Sequence, residues 1–244
     1  FYNPSGAPTV QILADVTRVT FPGAGHAWPV VPMVNGSAGC APVAATPVGD
    51  ALQIDVRCNS PSQSTWFVLA WIRQHDASSP GVAYVGTTGT TSLGTSVLYS
   101  WNSSGEGVDV VRVSTGVYDV TLFGQTSPLQ SVAHATSSGM FGHRCKIASW
   151  SNQDDKVVRV VCHNSQGLPT ESDFNMLFTA TRTPHGRPGS HAWLDRTTLT
   201  TYTPNILYQY ISLPGRVTAN NYQGGSGSGF IQDVMFPSFT SQGI

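Results

Sequence analysis

Charge is what this sequence has least of. Of 244 residues only 10% are Asp, Glu, Lys or Arg, against about 25% in an average soluble domain. Lysine stands only at Lys146 and Lys156, and glutamate only at Glu106 and Glu171. Helix surfaces draw on Glu, Lys and Arg, whereas exposed strands tolerate Thr and Ser. The shortage therefore argues against helices, and 25 Gly with 16 Pro argue for strands and turns. The formal net charge is −1 and no Lys or Arg stripe exists. That excludes nucleic acid as a partner, because such a surface needs several phosphate-neutralising cations on one face. No apolar run approaches the roughly 20 residues of a spanning helix, so membrane insertion is not expected. A leader pattern is also missing at Phe1, and a start at Phe-Tyr-Asn-Pro reads as a mature, processed chain.

What is present is repetition. Cys40-Ala-Pro-Val and Asp50-Ala-Leu-Gln-Ile-Asp-Val-Arg-Cys58 run parallel to Cys145-Lys-Ile-Ala and Asp155-Lys-Val-Val-Arg-Val-Val-Cys162. Trp66-Phe-Val-Leu-Ala matches Phe174-Asn-Met-Leu-Phe, Ala83-Tyr84-Val85 matches Ala192-Trp193-Leu194, and Val97-Leu98-Tyr99 matches Ile206-Leu207-Tyr208. A third motif occurs three times, as Val19-Thr-Phe-Pro-Gly23, Val120-Thr-Leu-Phe-Gly124 and Val234-Met-Phe-Pro-Ser238. The offset stays at about 100 to 110 residues, the size of a small β domain repeated in tandem. The chain thus divides into a first β unit over 1–97, a second over 98–206 and a partial third over 207–244. That partial unit duplicates the opening strands and is expected to close or cover an edge.

Within each unit the hydrophobic period is two. Leu52, Ile54, Val56 and Cys58 share one face, and Gln53, Asp55 and Arg57 the other; Val158, Val160 and Cys162 repeat the inner face. Trp66 to Ile72 is apolar on both faces, as a central strand covered on both sides is. The turns Pro47 to Asp50 and Asn152 to Asp155 join the cysteine-bearing strands. The expected fold is all-β: two tandem antiparallel sandwich-like units and a C-terminal partial third.

The four cysteines pair by spacing, Cys40 with Cys58 and Cys145 with Cys162. The rival is zinc, since His143 and His163 flank the second pair. At the equivalent positions of the first pair stand Ala38 and Asn59, neither a zinc ligand. Disulfides explain both pairs and zinc only one, so two bridges in an oxidising, extracellular setting are expected, with no metal or cofactor. A bridge over a loop of this length contributes about 3 kcal/mol.

The patterns Trp101-Asn-Ser-Ser-Gly105, Gly116-Val-Tyr-Asp-Val-Thr-Leu-Phe-Gly124, Cys145-Lys-Ile-Ala-Ser-Trp150 and Val158-Arg-Val-Val-Cys-His-Asn164 resemble a disulfide-containing β repeat of secreted proteins from high-GC bacteria. The likeness covers nearly the whole chain. It implies secretion and repetition, and it supplies no catalytic residues. The first copy departs from the pattern, with Ala41-Pro-Val-Ala-Ala-Thr46 after its first cysteine.

Catalytic signatures are weak. No Gly-x-Ser-x-Gly elbow serves a Ser/His/Asp hydrolase. The acidic set Asp154, Asp155, Glu171, Asp173 and Asp195 is the only candidate for a carboxylate pair, and Asp155 has a turn-forming counterpart in Asp50. Asn152, Asp154 and Asp155 offer too few oxygens for a calcium loop. Asn35-Gly-Ser37 and Asn102-Ser-Ser104 match the glycosylation sequon. Aromatic residues in polar, Gly-rich segments are the better foothold, because exposed rings stack on sugars. The candidate binding residues are Trp28, Tyr84, Trp150, Trp193, Asp195 and His191. The first expectation is a secreted, non-catalytic binder of glycan or a cell-surface ligand. Two alternatives stand beside it. One is a structural or assembly subunit that forms homo-oligomers through strand edges; the other is a hydrolase with its site in the second unit.

Overall fold

The computed structural model describes residues 6–25, 30–36, 40–58, 67–73, 81–125, 131–138, 142–151, 153–180, 190–192, 201–202, 209–211, 218–223 and 230–235. Every regular element among them is a strand. The chain forms two compact units, Phe1–Thr126 with Ala133–Leu177, and Ser127–Val132 with Phe178–Ile244.

In the first unit, β1 (Thr9–Ile12), β2 (Thr17–Phe21), β4 (Ala41–Val48) and β5 (Ala51–Arg57) form an antiparallel sheet in the order β1-β2-β5-β4. Burial alternates along β5, with Leu52, Ile54 and Val56 at most 1% exposed. They pack with Val19 and Phe21 of β2 under Val34 of β3 (Val30–Gly36) and Phe67 and Leu69 of β6 (Phe67–Arg73). β3 and β6 are an antiparallel pair, so among the described residues the first sandwich has four strands facing two. Pro42 and Pro47 sit in β4, an edge strand of its sheet, where a missing N–H is tolerated.

The second sandwich repeats the first sheet. β9 (Val108–Ser114), β10 (Val117–Leu122), β12 (Arg144–Trp150) and β13 (Lys156–His163) run in the order β12-β13-β10-β9, which is β4-β5-β2-β1 over again. Both sheets carry a register shift in the cysteine-bearing edge strand, at Pro42/Ala44 and at Ile147/Ser149. Both disulfides form, Cys40–Cys58 and Cys145–Cys162. The second joins directly opposed residues at the open end of its hairpin. The two bridges are consistent with an extracellular protein.

A charge pair occupies the same slot in the two sheets with its polarity reversed. Arg18 on β2 grips Asp55 on β5 through two bonds of 2.8 Å. On β10 and β13 the partners are Asp119 and Arg159, at 2.8 and 2.7 Å. Directly opposed unlike charges support a sheet and like charges oppose it. Arg18→Asp is therefore expected to lower the melting temperature, and Arg18→Asp with Asp55→Arg to recover it. Thermal melts of the single and double variants check this; a double variant no better than the single one counts against it.

The sheet facing β12-β13-β10-β9 has mixed parentage. It contains β11 (Ser131–Ser137) and β14 (Phe174–Ala180), the counterparts of β3 and β6, and also the hairpin of β7 (Val82–Thr91) and β8 (Gly94–Asn102). Their order is β11-β14-β7-β8. The Phe174 ring meets Tyr118 of β10 at 5.2 Å. On the opposite face Val82, Tyr84 and Leu177 pack against Val31 and Met33 of β3, so β3–β6 has a packed layer on each side. The unit boundary expected between residues 97 and 98 lies within β8.

In the second compact unit, β15 (Ser190–Ala192) pairs antiparallel with β17 (Gln209–Ile211). A separate sheet runs β16-β18-β19, from β16 (Thr201–Tyr202), β18 (Thr218–Gln223) and β19 (Phe230–Met235). The β18–β19 pair is antiparallel, as are β1–β2 and β9–β10.

Candidate functional site

The most elaborated feature is the junction where the β7–β8 hairpin enters the sheet of the second repeat. Thr87, 3% exposed, accepts a hydrogen bond from the Phe174 amide at 2.8 Å and donates one to the Phe174 carbonyl at 3.2 Å. The Thr90 amide donates to Asp173 Oδ1 at 2.9 Å, and the Tyr99 hydroxyl to Asn175 Oδ1 at 2.8 Å. Asn175 in turn donates to the Pro32 carbonyl at 2.9 Å, tying the mixed sheet to β3. Gly86 makes room for this, since a Cβ there would run into the Tyr99 ring. Hydrogen bonds from buried side chains to backbone on another strand specify one docking register, because leaving them unmade is costly.

The acidic candidates Glu171, Asp173 and Asp155 hold structure. Glu171 accepts bonds from Arg112 Nε and Nη2 at 2.9 and 2.6 Å and from the Tyr118 hydroxyl. Burial pulls its carboxyl upward, but the bonds from Arg112, Tyr118 and the Gly116 amide outweigh this and hold it below the usual carboxylate range. Burial, and then the Glu171 carboxylate, push the Tyr118 hydroxyl up. Asp173 accepts from Thr90, and Asp155 accepts the Gly124 amide at 2.7 Å. Asp155 itself has a φ of 57°, a left-handed turn position that Asp tolerates. Asp195 and Asn152 lie outside the described residues. Among the described residues no three His, Cys, Asp or Glu side chains converge.

Glu171 gives a pH prediction. Because its folded pKa is depressed, its contribution to stability is complete above the unfolded carboxylate value of about 4.3. It is lost as pH falls through the depressed folded value. Glu171→Gln is expected to destabilise the protein at neutral pH, with the gap to the parent closing below about pH 4. Urea melts across that range check it; a gap independent of pH counts against it.

The aromatic candidates divide. Tyr84 is 0% exposed, stacked on Trp101 at 5.9 Å and edge-on to Tyr99 at 6.4 Å. Its hydroxyl finds no partner among the described residues, and burial pushes it up to about 12. Trp150 is 7% exposed. Both are core residues, with no ring face open to a sugar. The register shift in β12 explains Trp150, because it flips the alternation and sets Trp150 opposite Val158 of the inner face. His191 lies in β15 with its backbone opposite Tyr210. Trp28, Trp193 and Asp195 lie outside the described residues.

Sequence reasoning passed over Lys156, which is 1% exposed. Its Nζ donates to the Gln153 carbonyl at 3.0 Å and locks the turn before β13. Burial pulls its pKa down, partly opposed by Asp154. Its place on the inward-facing alternation of Val158, Val160 and Cys162 was the available signal. Compared with protein-family models, curated proteins and solved structures, the chain matches none.

Proposed function

We propose that the chain is a secreted, non-catalytic structural protein whose repeats are joined by exchange of a β-hairpin. One observation carries the reading: β7, from the first repeat, and β8, which spans the boundary between the repeats, complete the sheet begun by β11 and β14 of the second. Exchange of this kind makes two sandwiches one mechanical body, since neither can open without breaking the bonds from Thr87, Thr90 and Tyr99 to the 173–175 segment. The disulfide-closed hairpins and the scarcity of charge suit an extracellular scaffold. The described acids Asp155, Glu171 and Asp173 are engaged in fold-holding bonds, which favours a scaffold over a hydrolase. The burial of Tyr84 and Trp150 favours it over a glycan platform built on those rings. The test is native-state hydrogen exchange. The slowest amides of β5 and β13 are expected to open with the same free energy, in one cooperative event. Independent opening of the two sheets would sink the reading.

A further inference from the structure

We infer that the outward face of the β12-β13-β10-β9 sheet is a two-fold docking surface for a second copy of this chain. The inference rests on the structural reading above and deepens it by naming a partner.

The two repeats act as an internal control. Burial alternates along β10 and β13, so Val117, Asp119 and Thr121 share the outward face with Val157, Arg159 and Val161. Register sets Val111 of β9 beside Asp119 on that face. The equivalent slots of the first sheet hold Gln11 beside Arg18, and Gln53, Asp55 and Arg57 on β5. Valine thus stands at 111, 157 and 161 where the first repeat has two glutamines and an arginine, the arginine being engaged with Asp15. The inner faces of β5 and β13 are alike, with Ile54 and Val56 matched by Val158 and Val160, so the difference is not a demand of the core. Val111 is 52% exposed and its neighbour on the same face, Val113, 49%. Apolar side chains grouped on an exposed face mark an interaction site.

The charge pair at the centre of the face identifies the occupant. Arg159 holds Asp119 through Nε and Nη2, and its side chain is still 46% exposed. A two-fold axis running along the strands between β10 and β13 sets Asp119 against the partner's Arg159 and Arg159 against the partner's Asp119. The same operation lays Val117 on the partner's Val161 and Thr121 on the partner's Val157, because these residues are register pairs across β10 and β13. An axis across the strands would oppose Asp119 to the partner's Asp119, a like-charge contact that disfavours binding. The face is therefore complementary to itself in one orientation, in charge and in apolar contact at once. Burying the pair is offset when further hydrogen bonds satisfy it, and here each carboxylate meets a second guanidinium. The same patch serves both copies, so the contact closes at a dimer. Four strands make a face only about 19 Å wide. That is small beside a stable interface, so pairing is expected at about 10 μM to 1 mM.

Sedimentation of the intact, oxidised chain up to about 1 mM tests this, and a monomer–dimer equilibrium is expected. Val111→Gln with Val157→Gln gives the face the residues of the first repeat. Its melting temperature should hold while pairing weakens by about tenfold or more. Asp119→Arg with Arg159→Asp restores the polarity that Arg18 and Asp55 already carry, so the swapped chain should fold and pair with itself. Mixed with the parent it sets Asp against Asp and Arg against Arg. Native mass spectrometry of isotope-labelled swapped chain with unlabelled parent should then show the two like dimers and few mixed ones. A chain that stays monomeric overturns the proposal. So does a ladder beyond the dimer, a dimer that the glutamine variant leaves intact, or free mixing of swapped and parent chains. Exchange coupling between β5 and β13 is read on dilute monomer, so failure of the pairing and failure of the structural reading are separate results.

Discussion

Phe174→Ala is expected to lower the stability of the protein by about 4 kcal/mol, within the range of about 3–5 kcal/mol for a buried phenylalanine. The side chain is fully buried and its ring lies against Tyr118 across the second sandwich. Truncation removes the transfer energy of the ring and leaves a cavity. The site has little freedom to collapse, because β14 is bonded on one edge to β11 and on the other to β7. Tyr118 is itself held at the far side by Glu171. The loss should extend beyond the second repeat, since the same backbone residue accepts and donates the bonds to Thr87 that anchor the hairpin of the first. Urea denaturation measures the total, and exchange at β5 amides shows whether the first sheet is weakened with it. Phe174→Leu, which refills most of the volume, should cost under about 1.5 kcal/mol. A loss below about 1 kcal/mol for the alanine variant would mean that the ring is not core, against the general cost of such cavities.

Removing the second bridge by Cys145→Ala with Cys162→Ala is expected to cost about 3 kcal/mol, from the loop that it closes in the unfolded chain. The two cysteines are 17 residues apart and stand opposite each other in the β12–β13 ladder. Cys162 is fully buried, so the variant also loses sulfur packing. Removing the first bridge, with a separation of 18, should cost about as much, because the loop term depends only weakly on length. Chemical denaturation of the two variants gives the magnitudes. Peptide mapping without reduction should recover Cys40 with Cys58 and Cys145 with Cys162 and no crossed pair. Either crossed pairing or insensitivity to reduction would contradict the bridges as described.

Much of the fold was legible because a strand writes its environment into alternate residues. Leu52, Ile54 and Val56 announced the inner face of β5, and the repeat announced that β13 would be its copy. The matched cysteine spacing worked because one repeat served as the control for the other: Ala38 and Asn59 removed zinc from consideration before any distance was known. The turn at Asp155 was legible from Asp50. The aromatic candidates were less so. Tyr84 and Trp150 stand among Gly, Ser and Thr, which read as surface, yet both are buried. Alternation could not place Trp150 because one register shift in β12 inverts it. Local polarity could not place Tyr84 because the cover over it, from Val31 and Met33 of β3, comes from a distant part of the chain.

By itself the sequence determined the all-β class, the repeat, the pairing of cysteines and the faces of the cysteine-bearing strands. Each of these is written in local spacing, where neighbouring side chains point to opposite sides and turn residues mark the ends. Only the tertiary structure decided which strand lies beside which. The alternation of β7 and β8 is satisfied equally by the sheet of their own repeat and by that of the next. The choice falls to contacts far apart in sequence, Thr87 with Phe174 and Tyr99 with Asn175. Such contacts have no local signature, because a strand edge offers the same backbone groups to every neighbour.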